Sequence, residues 1–289
     1  MYKNKMIIIS VALAFGLLTA CDSNNKKATD ESHPSGHEVR HNETNTGEHN
    51  GHGAAQQAAS HLKAAFAFTA DNAKANETTE LTIQITDHDG NPINDFDLNH
   101  EKLLHLIIVN QDLSYFNHIH PEFEGDGRFT INTSFPAGGE YKLFADFKPT
   151  GGSSTMLSAR VRVEGQEQPQ TVISADTKLV KEVSGKEVEL ALSRSKPKED
   201  VTLTFNIKDA KTKKGIVNLE PYLGAVGHVV ILSADGEQYI HVHPLDERAT
   251  GPVAEFSTSF PIGGTYKLWG QFQHEGEVFT VPFVVEVKI

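Results

Sequence analysis

Three histidines recur twice in this chain at the same spacing. HLIIVNQDLSYFNHIHP at 105–121 carries His105, His118 and His120, and HVVILSADGEQYIHVHP at 228–244 carries His228, His241 and His243, at a constant offset of 123. Neutral imidazole is a common metal ligand, and three of them aimed at one point make a zinc site with Zn–N distances of about 2.0–2.1 Å. Copper(II) is served equally well, because divalent affinities at nitrogen donors rise to a maximum at copper. The competing reading is structural: core histidines bonded to backbone carbonyls, with Pro121 and Pro244 ending their strands. A third histidine at the facing position, present in both copies, favours the metal.

The elements that must position these rings are strands. In the second copy Asp235-Gly236 separates two apolar runs, the signature of a two-residue type I′ hairpin. Facing residues then have numbers summing to 471, which sets His228 opposite His243 with His241 diagonal on the same face. The first copy inherits that arrangement, with His105 opposite His120. Asp112-Leu113 stands at its turn, where Leu fits positive φ poorly, leaving that loop's width and register open.

Short β-branched or alternating runs broken by Gly, Pro, Asn and Asp fill the chain from about 64 onward, including 171–181, 227–233 and 238–243, and no long segment has helical periodicity. The prediction is all-β: two tandem immunoglobulin-like sandwiches, spanning 62–167 and 168–289, joined where Gly165-Gln166-Glu167-Gln168-Pro169 reads as linker. SFPAGGEYKLFADF from Ser134 matches SFPIGGTYKLWGQF from Ser259 at an offset of 125, so the halves are repeats. Tyr141, Tyr266 and Trp269 are expected to fill the sandwich cores. Asp87-His88-Asp89-Gly90-Asn91-Pro92 is a turn rather than a calcium loop, since it lacks a terminal Glu.

Ahead of the strands, residues 21–61 are polar and cannot bury enough surface to offset the entropy of ordering. They are expected to form a disordered tether, and His33, His37, His41, His49, His52 and His61 suit it to be an auxiliary collector of divalent ions, the alternative being a solvated spacer that is merely His-rich. Cys21 is the single cysteine, which excludes disulfides within the chain, Cys-rich zinc sites and iron–sulfur clusters. A net charge of −12 disfavours nucleic acid, for want of a cationic surplus to displace counterions. No nucleophile elbow, phosphate loop or catalytic triad motif is present.

Two resemblances sharpen this. Lys3 and Lys5, the apolar run Met6–Leu18 and Leu18-Thr19-Ala20-Cys21 resemble a bacterial lipoprotein signal over residues 1–20. That implies lipidation of Cys21 and a chain tethered to the extracytoplasmic face of the cell membrane. FDLNHEKLLHLIIVNQDLSYFNHIHPEFEGDGRFTINTSFPAGGEYKLFADFKP from Phe96, and LEPYLGAVGHVVILSADGEQYIHVHP from Leu219, resemble the YtkA-like or FixH-like extracytoplasmic modules of bacteria. This implies β-sandwiches at the cell envelope, in a group loosely linked to heavy metals or respiratory copper enzymes. In the HEKLLH block, His100 and Glu101 stand where copy two has Leu223 and Gly224.

The reading is therefore a non-enzymatic, membrane-tethered metal-binding lipoprotein that sequesters or delivers copper or zinc through duplicated three-His sites. The alternative is an envelope interaction module, with scaffold histidines and a protein partner. A hydrolase ranks third because no general base recurs: Glu122 follows HIHP and Leu245 follows HVHP.

Overall fold

The computed structural model describes residues 61–70, 72–240 and 242–288. Cys21, His33, His37, His41, His49, His52 and His241 lie outside them. The described residues belong to one compact unit made of two β-sandwiches.

The first sandwich contains β1 (Leu62–Phe68), β2 (Ala73–Lys74), β3 (Thr78–Asp87), β4 (Phe96–Asp97), β5 (Leu104–Asn110), β6 (Phe116–Ile119), β7 (Glu122–Gly125), β8 (Arg128–Ser134), β9 (Gly139–Pro149) and β10 (Thr155–Glu164). One sheet has the order β1-β3-β8-β7; the other has β2-β10-β9-β5-β6, with β4 against β9. The second sandwich contains β11 (Val180–Val183), β12 (Lys186–Leu192), β13 (Asp200–Asp209), β14 (His228–Ser233), β15 (Tyr239–Ile240), β16 (His243–Pro244), β17 (Val253–Ser259), β18 (Gly264–His274) and β19 (Glu277–Val287). Its sheets run β11-β12-β13-β17-β16 and β15-β14-β18-β19.

The strands differ in how many faces they bury. β3 and β13 alternate buried with half-exposed residues, so one face meets the core and the other meets water. β5 and β14 are buried almost throughout. Leu104, Leu106 and Ile108 enter the first core, whereas Ile107 and Val109 point the other way. In β14, Val229 and Ile231 enter the second core while Val230 and Leu232 point outward. The outward sets meet in a third cluster with Leu113, Phe144 and Trp269. The two sandwiches thus dock sheet to sheet. Trp269 belongs to this shared cluster and not, as the sequence suggested, to a sandwich core. Tyr141 and Tyr266 do fill the two cores, and their hydroxyls donate four residues upstream, to the carbonyls of Ala137 (3.0 Å) and Ile262 (2.8 Å).

Two expected elements need correction. Residues 171–181 contribute only the strand Val180–Val183. The stretch before it spends its backbone groups elsewhere: Thr171 N–H donates to Asp112 (2.7 Å) and Asp176 N–H to the Val284 carbonyl (2.9 Å). The Asp235-Gly236 loop is not a two-residue type I′ turn, because only Gly236 has positive φ (69°). Gly236 N–H donates to Ser233 O (2.8 Å) and Ser233 N–H to Gln238 O (3.0 Å), giving a four-residue loop around a tight turn. Two- and four-residue loops share a centre, so the pairing sum of 471 survives at Ile231↔Ile240 and Leu232↔Tyr239.

Leu113 occupies the position of Gly236 in the first copy and also has positive φ, 54°. Its side chain is 1% exposed, within the cluster that joins the sandwiches. Left-handed backbone costs a β-carbon-bearing residue about 1–2 kcal/mol, whereas truncating a buried Leu removes about 3–5 kcal/mol. Leu113→Gly is therefore expected to lower stability by roughly 1–4 kcal/mol in urea unfolding, despite relieving the backbone. An increase in stability would show that packing does not hold this turn.

Candidate metal centre

Each histidine of the first copy is placed by a strand register. β5 and β6 pair antiparallel with Leu106↔Ile119 and Ile107↔His118, numbers summing to 225, which extends to His105 facing His120. Since Ile107 faces the second sandwich, His118 opposite it faces the same way. Donor atoms of His105, His118 and His120 all lie within 4.8 Å of one another.

Among the described residues the second copy does not repeat this. After β15 the chain leaves its sheet, and His243 pairs in β16 with Ser257 of β17, in the opposite sheet, where it is exposed. The expected facing of His243 and His228 is thereby corrected. His228 instead meets the first copy's cluster: its ring lies 5.3 Å from that of His105 and stacked at 8°, and 4.8 Å from that of His118.

His100 was not among the expected ligands, yet its ring lies 5.5 Å from that of His228 and 6.3 Å from that of His105. It belongs to a tight turn in which Asn99 and Lys102 exchange both backbone hydrogen bonds (2.8 and 3.1 Å). His100 and Glu101 both have positive φ, 48° and 66°, as a type I′ turn requires. Non-glycine residues in that region are strained and cluster at functional sites. The sequence clue was the HEKLLH block itself.

The outer nitrogens are committed. His105 Nε2 donates to Asn99 O at 2.7 Å, and His118 Nδ1 donates to Gln271 Oε1 at 2.6 Å, while Gln271 Nε2 donates to Thr280 (3.2 Å). A neutral ring with one nitrogen protonated presents a lone pair at the other. His105 Nδ1 and His118 Nε2 lie 3.0 Å apart; with both outer nitrogens protonated, a cation between these two would take the place of the hydrogen bond that the other tautomer makes. The buried Nε2 of His120 has no hydrogen-bond partner among the described residues. Turning the Gln271 amide over gives the metal-free state: Thr280 donates to Oε1, Gln271 donates to His118 Nδ1, and His118 donates to His105.

Electrostatics favour the neutral forms of His118 and His120. Burial pushes the His118 pKa well below its usual value, and His105 and His120 push it the same way against Gln271. Burial, then His105 and Lys102, lowers His120 to about 4. Asp146 is the Cα partner of His105 on β9 and is 4% exposed. It accepts hydrogen bonds from Ser154 and Tyr239, both at 3.3 Å. Burial raises its pKa, with His105 opposing.

Two segments, 58–165 and 181–289, match the family described as "Domain of unknown function (DUF8832)". The chain belongs to this family, as two consecutive copies of its domain. No curated protein matches the sequence. Among solved structures it is similar to the Escherichia coli adhesin FdeC (18% identity, TM-score 0.26, covering 78% of this chain and 65% of that one). The Yersinia pseudotuberculosis adhesin InvE follows at 12%, TM-score 0.25, 78% and 60%. A two-domain fibronectin type III segment of chicken tenascin gives 12%, TM-score 0.23, 78% and 99%. The chain thus spans under two thirds of either adhesin structure.

The lowered His pKa values set a pH dependence of the metal-free protein. Above about 6.5 His120 is neutral whether folded or unfolded; between about 6.5 and 4 the unfolded chain takes up a proton that folded His120 refuses. Stability should therefore fall as pH drops through that window. His118 adds in the same direction and Asp146, with its raised pKa, acts against it. Urea unfolding at pH 7 and pH 5 measures the loss, and His120→Gln should make the slope shallower; an unchanged slope would show that the ring does not resist protonation.

Proposed function

We propose that the protein binds one copper or zinc ion through His105, His118 and His120, and holds it at the cell envelope for sequestration or delivery. The facing nitrogens of His105 and His118 carry this reading. With an ion between them, both rings still donate their outer N–H groups to carbonyl oxygens, the arrangement by which outer hydrogen bonds orient metal-bound imidazole. In a tetrahedral site two nitrogens at about 2.0–2.1 Å from zinc are about 3.3 Å apart, close to the 3.0 Å here. His120 supplies the third donor and completes a set free of thiolate, suited to zinc or copper(II).

The role is that of a binding protein and not a catalyst. Lipidated Cys21 anchors the chain on the extracytoplasmic face of the membrane, and His33, His37, His41, His49 and His52 raise the local supply of ions. The resemblance of the HIHP and HVHP blocks to YtkA-like and FixH-like modules points to the same compartment. The metal-free hydrogen-bond pattern favours a second reading, in which the histidines are scaffold for an envelope interaction module with a protein partner.

Calorimetry separates the two. In a chain without an affinity tag and with the five tether histidines replaced by Gln, copper(II) or zinc is expected to bind at about one ion per chain. Joint His118→Ala and His120→Ala substitution should abolish it. No binding, or binding untouched by that pair, establishes the scaffold reading.

The anchor has its own test. Cys21→Ala should leave the chain unprocessed or release it from the membrane fraction, because a lipidated Cys is the mature chain's proposed anchor. Normal processing with retention in the lipid fraction would overturn it.

A further inference from the structure

We infer that the metal centre is completed across the joint between the two sandwiches, with His228 as a fourth ligand, so that one ion fastens the two repeats together. This rests on the three-His reading above and extends it to a residue of the other repeat.

The ring geometry is the first support. Two imidazoles bound to one tetrahedral ion have centroids about 5 Å apart, given about 2.05 Å from nitrogen to metal. Centroid separations within the triad are 5.2 Å (His105–His118), 5.0 Å (His105–His120) and 4.7 Å (His118–His120). His228 lies 5.3 Å from His105 and 4.8 Å from His118, in the same range. It is half-buried at the start of β14 with its ring stacked on that of His105, so joining the triad requires its side chain to rotate.

The second sandwich already supplies the outer shell. Gln271, the Cα partner of His228 on β18, is 5% exposed and receives the His118 Nδ1–H at 2.6 Å. A ligand ring whose orientation is set from the other repeat is oriented only while the repeats are docked.

The turns close the same side of the joint. Leu223 and Gly224 repeat the positive-φ pair of His100 and Glu101, at 55° and 77°. A β-carbon on Gly224 would lie 3.2 Å from Glu101 Cγ, so the turns approach closely and bring His100 beside His228.

The consequence is reciprocal linkage: whatever factor docking adds to ion affinity, the ion adds to docking. His228 adds a direct ligand to the coupling that Gln271 already provides through His118.

Cobalt(II) titration of the full chain, with the tether histidines replaced as above, reads the ligand number in visible absorption. One ion should bind, with a tetrahedral spectrum that azide does not change, since four imidazoles leave no open position. His228→Ala should weaken affinity at least tenfold at unchanged stoichiometry. Its spectrum should respond to azide, and millimolar imidazole should restore the original bands. His228→Gln, checked with His228→Ala by circular dichroism for an intact fold, should weaken binding without imidazole rescue. Unchanged affinity and spectrum in both variants overturn the inter-repeat ligand while leaving the three-His site standing. Absence of cobalt binding in the parent chain, or binding that survives His118→Ala with His120→Ala, overturns both.

Discussion

The docking of one sheet of each sandwich onto the other governs everything else in this protein. β5 in the first copy and β14 in the second carry apolar residues on both faces, and β9 and β18 add Phe144 and Trp269 to the outward face among buried polar residues such as Lys142, Asp146 and Gln271. A sandwich can cover only one of those faces with its own partner sheet. Leaving Ile107, Val109 and Phe144, or Val230, Leu232 and Trp269, in water would forfeit about 1.5–3 kcal/mol for each large side chain. Each copy covers the other's exposed face, and the joint becomes a third core.

The contacts across that joint repeat as they do in a two-fold dimer. Phe116 stacks on Trp269 at 4.5 Å, and the equivalent pair, Tyr239 and Phe144, lies 5.7 Å apart. Lys142 donates to the Gly236 carbonyl and Lys267 to the Leu113 carbonyl, both at 2.8 Å, so each lysine caps the opposite copy's hairpin loop. The symmetry fails where chemistry enters. Gln271 receives His118, whereas its counterpart Asp146 is a buried carboxyl bonded by Tyr239 and Ser154. His100 stands in one turn and Leu223 in the other. Among the described residues, duplication has thus produced one His cluster with rings from both copies.

Strain accompanies that asymmetry. His100, Glu101 and Leu113 adopt positive φ without being glycine. The first two sit in a closed turn beside the cluster, and Leu113 is fixed by burial. Backbone cost of this kind persists where surrounding packing over-determines the conformation. Here the shared core does so, while also keeping His118 and His120 desolvated and neutral, the state in which imidazole is a ligand.

Local pattern alone determined that the chain is all-β, that it is a tandem repeat, and that His105, His118 and His120 converge. Those features depend on period-two alternation and on hairpin centres, which are short-range. The pairing sums of 225 and 471 hold even though the Asp235-Gly236 turn has four loop residues rather than two, because either loop keeps the same centre. Only the tertiary structure decided that the second copy makes no equivalent of the first copy's cluster among the described residues, and that His228 joins the first copy's rings. Both depend on long-range choices: His243 crosses to the opposite sheet, and two sheets 123 residues apart in sequence share an apolar face. A hint lay in the unbroken runs LHLIIV and HVVIL, which a sheet open to water on one side would have alternated with polar residues. Which surface covers such a second apolar face is not a local property, since any apolar surface of the right shape satisfies it until the whole chain has folded.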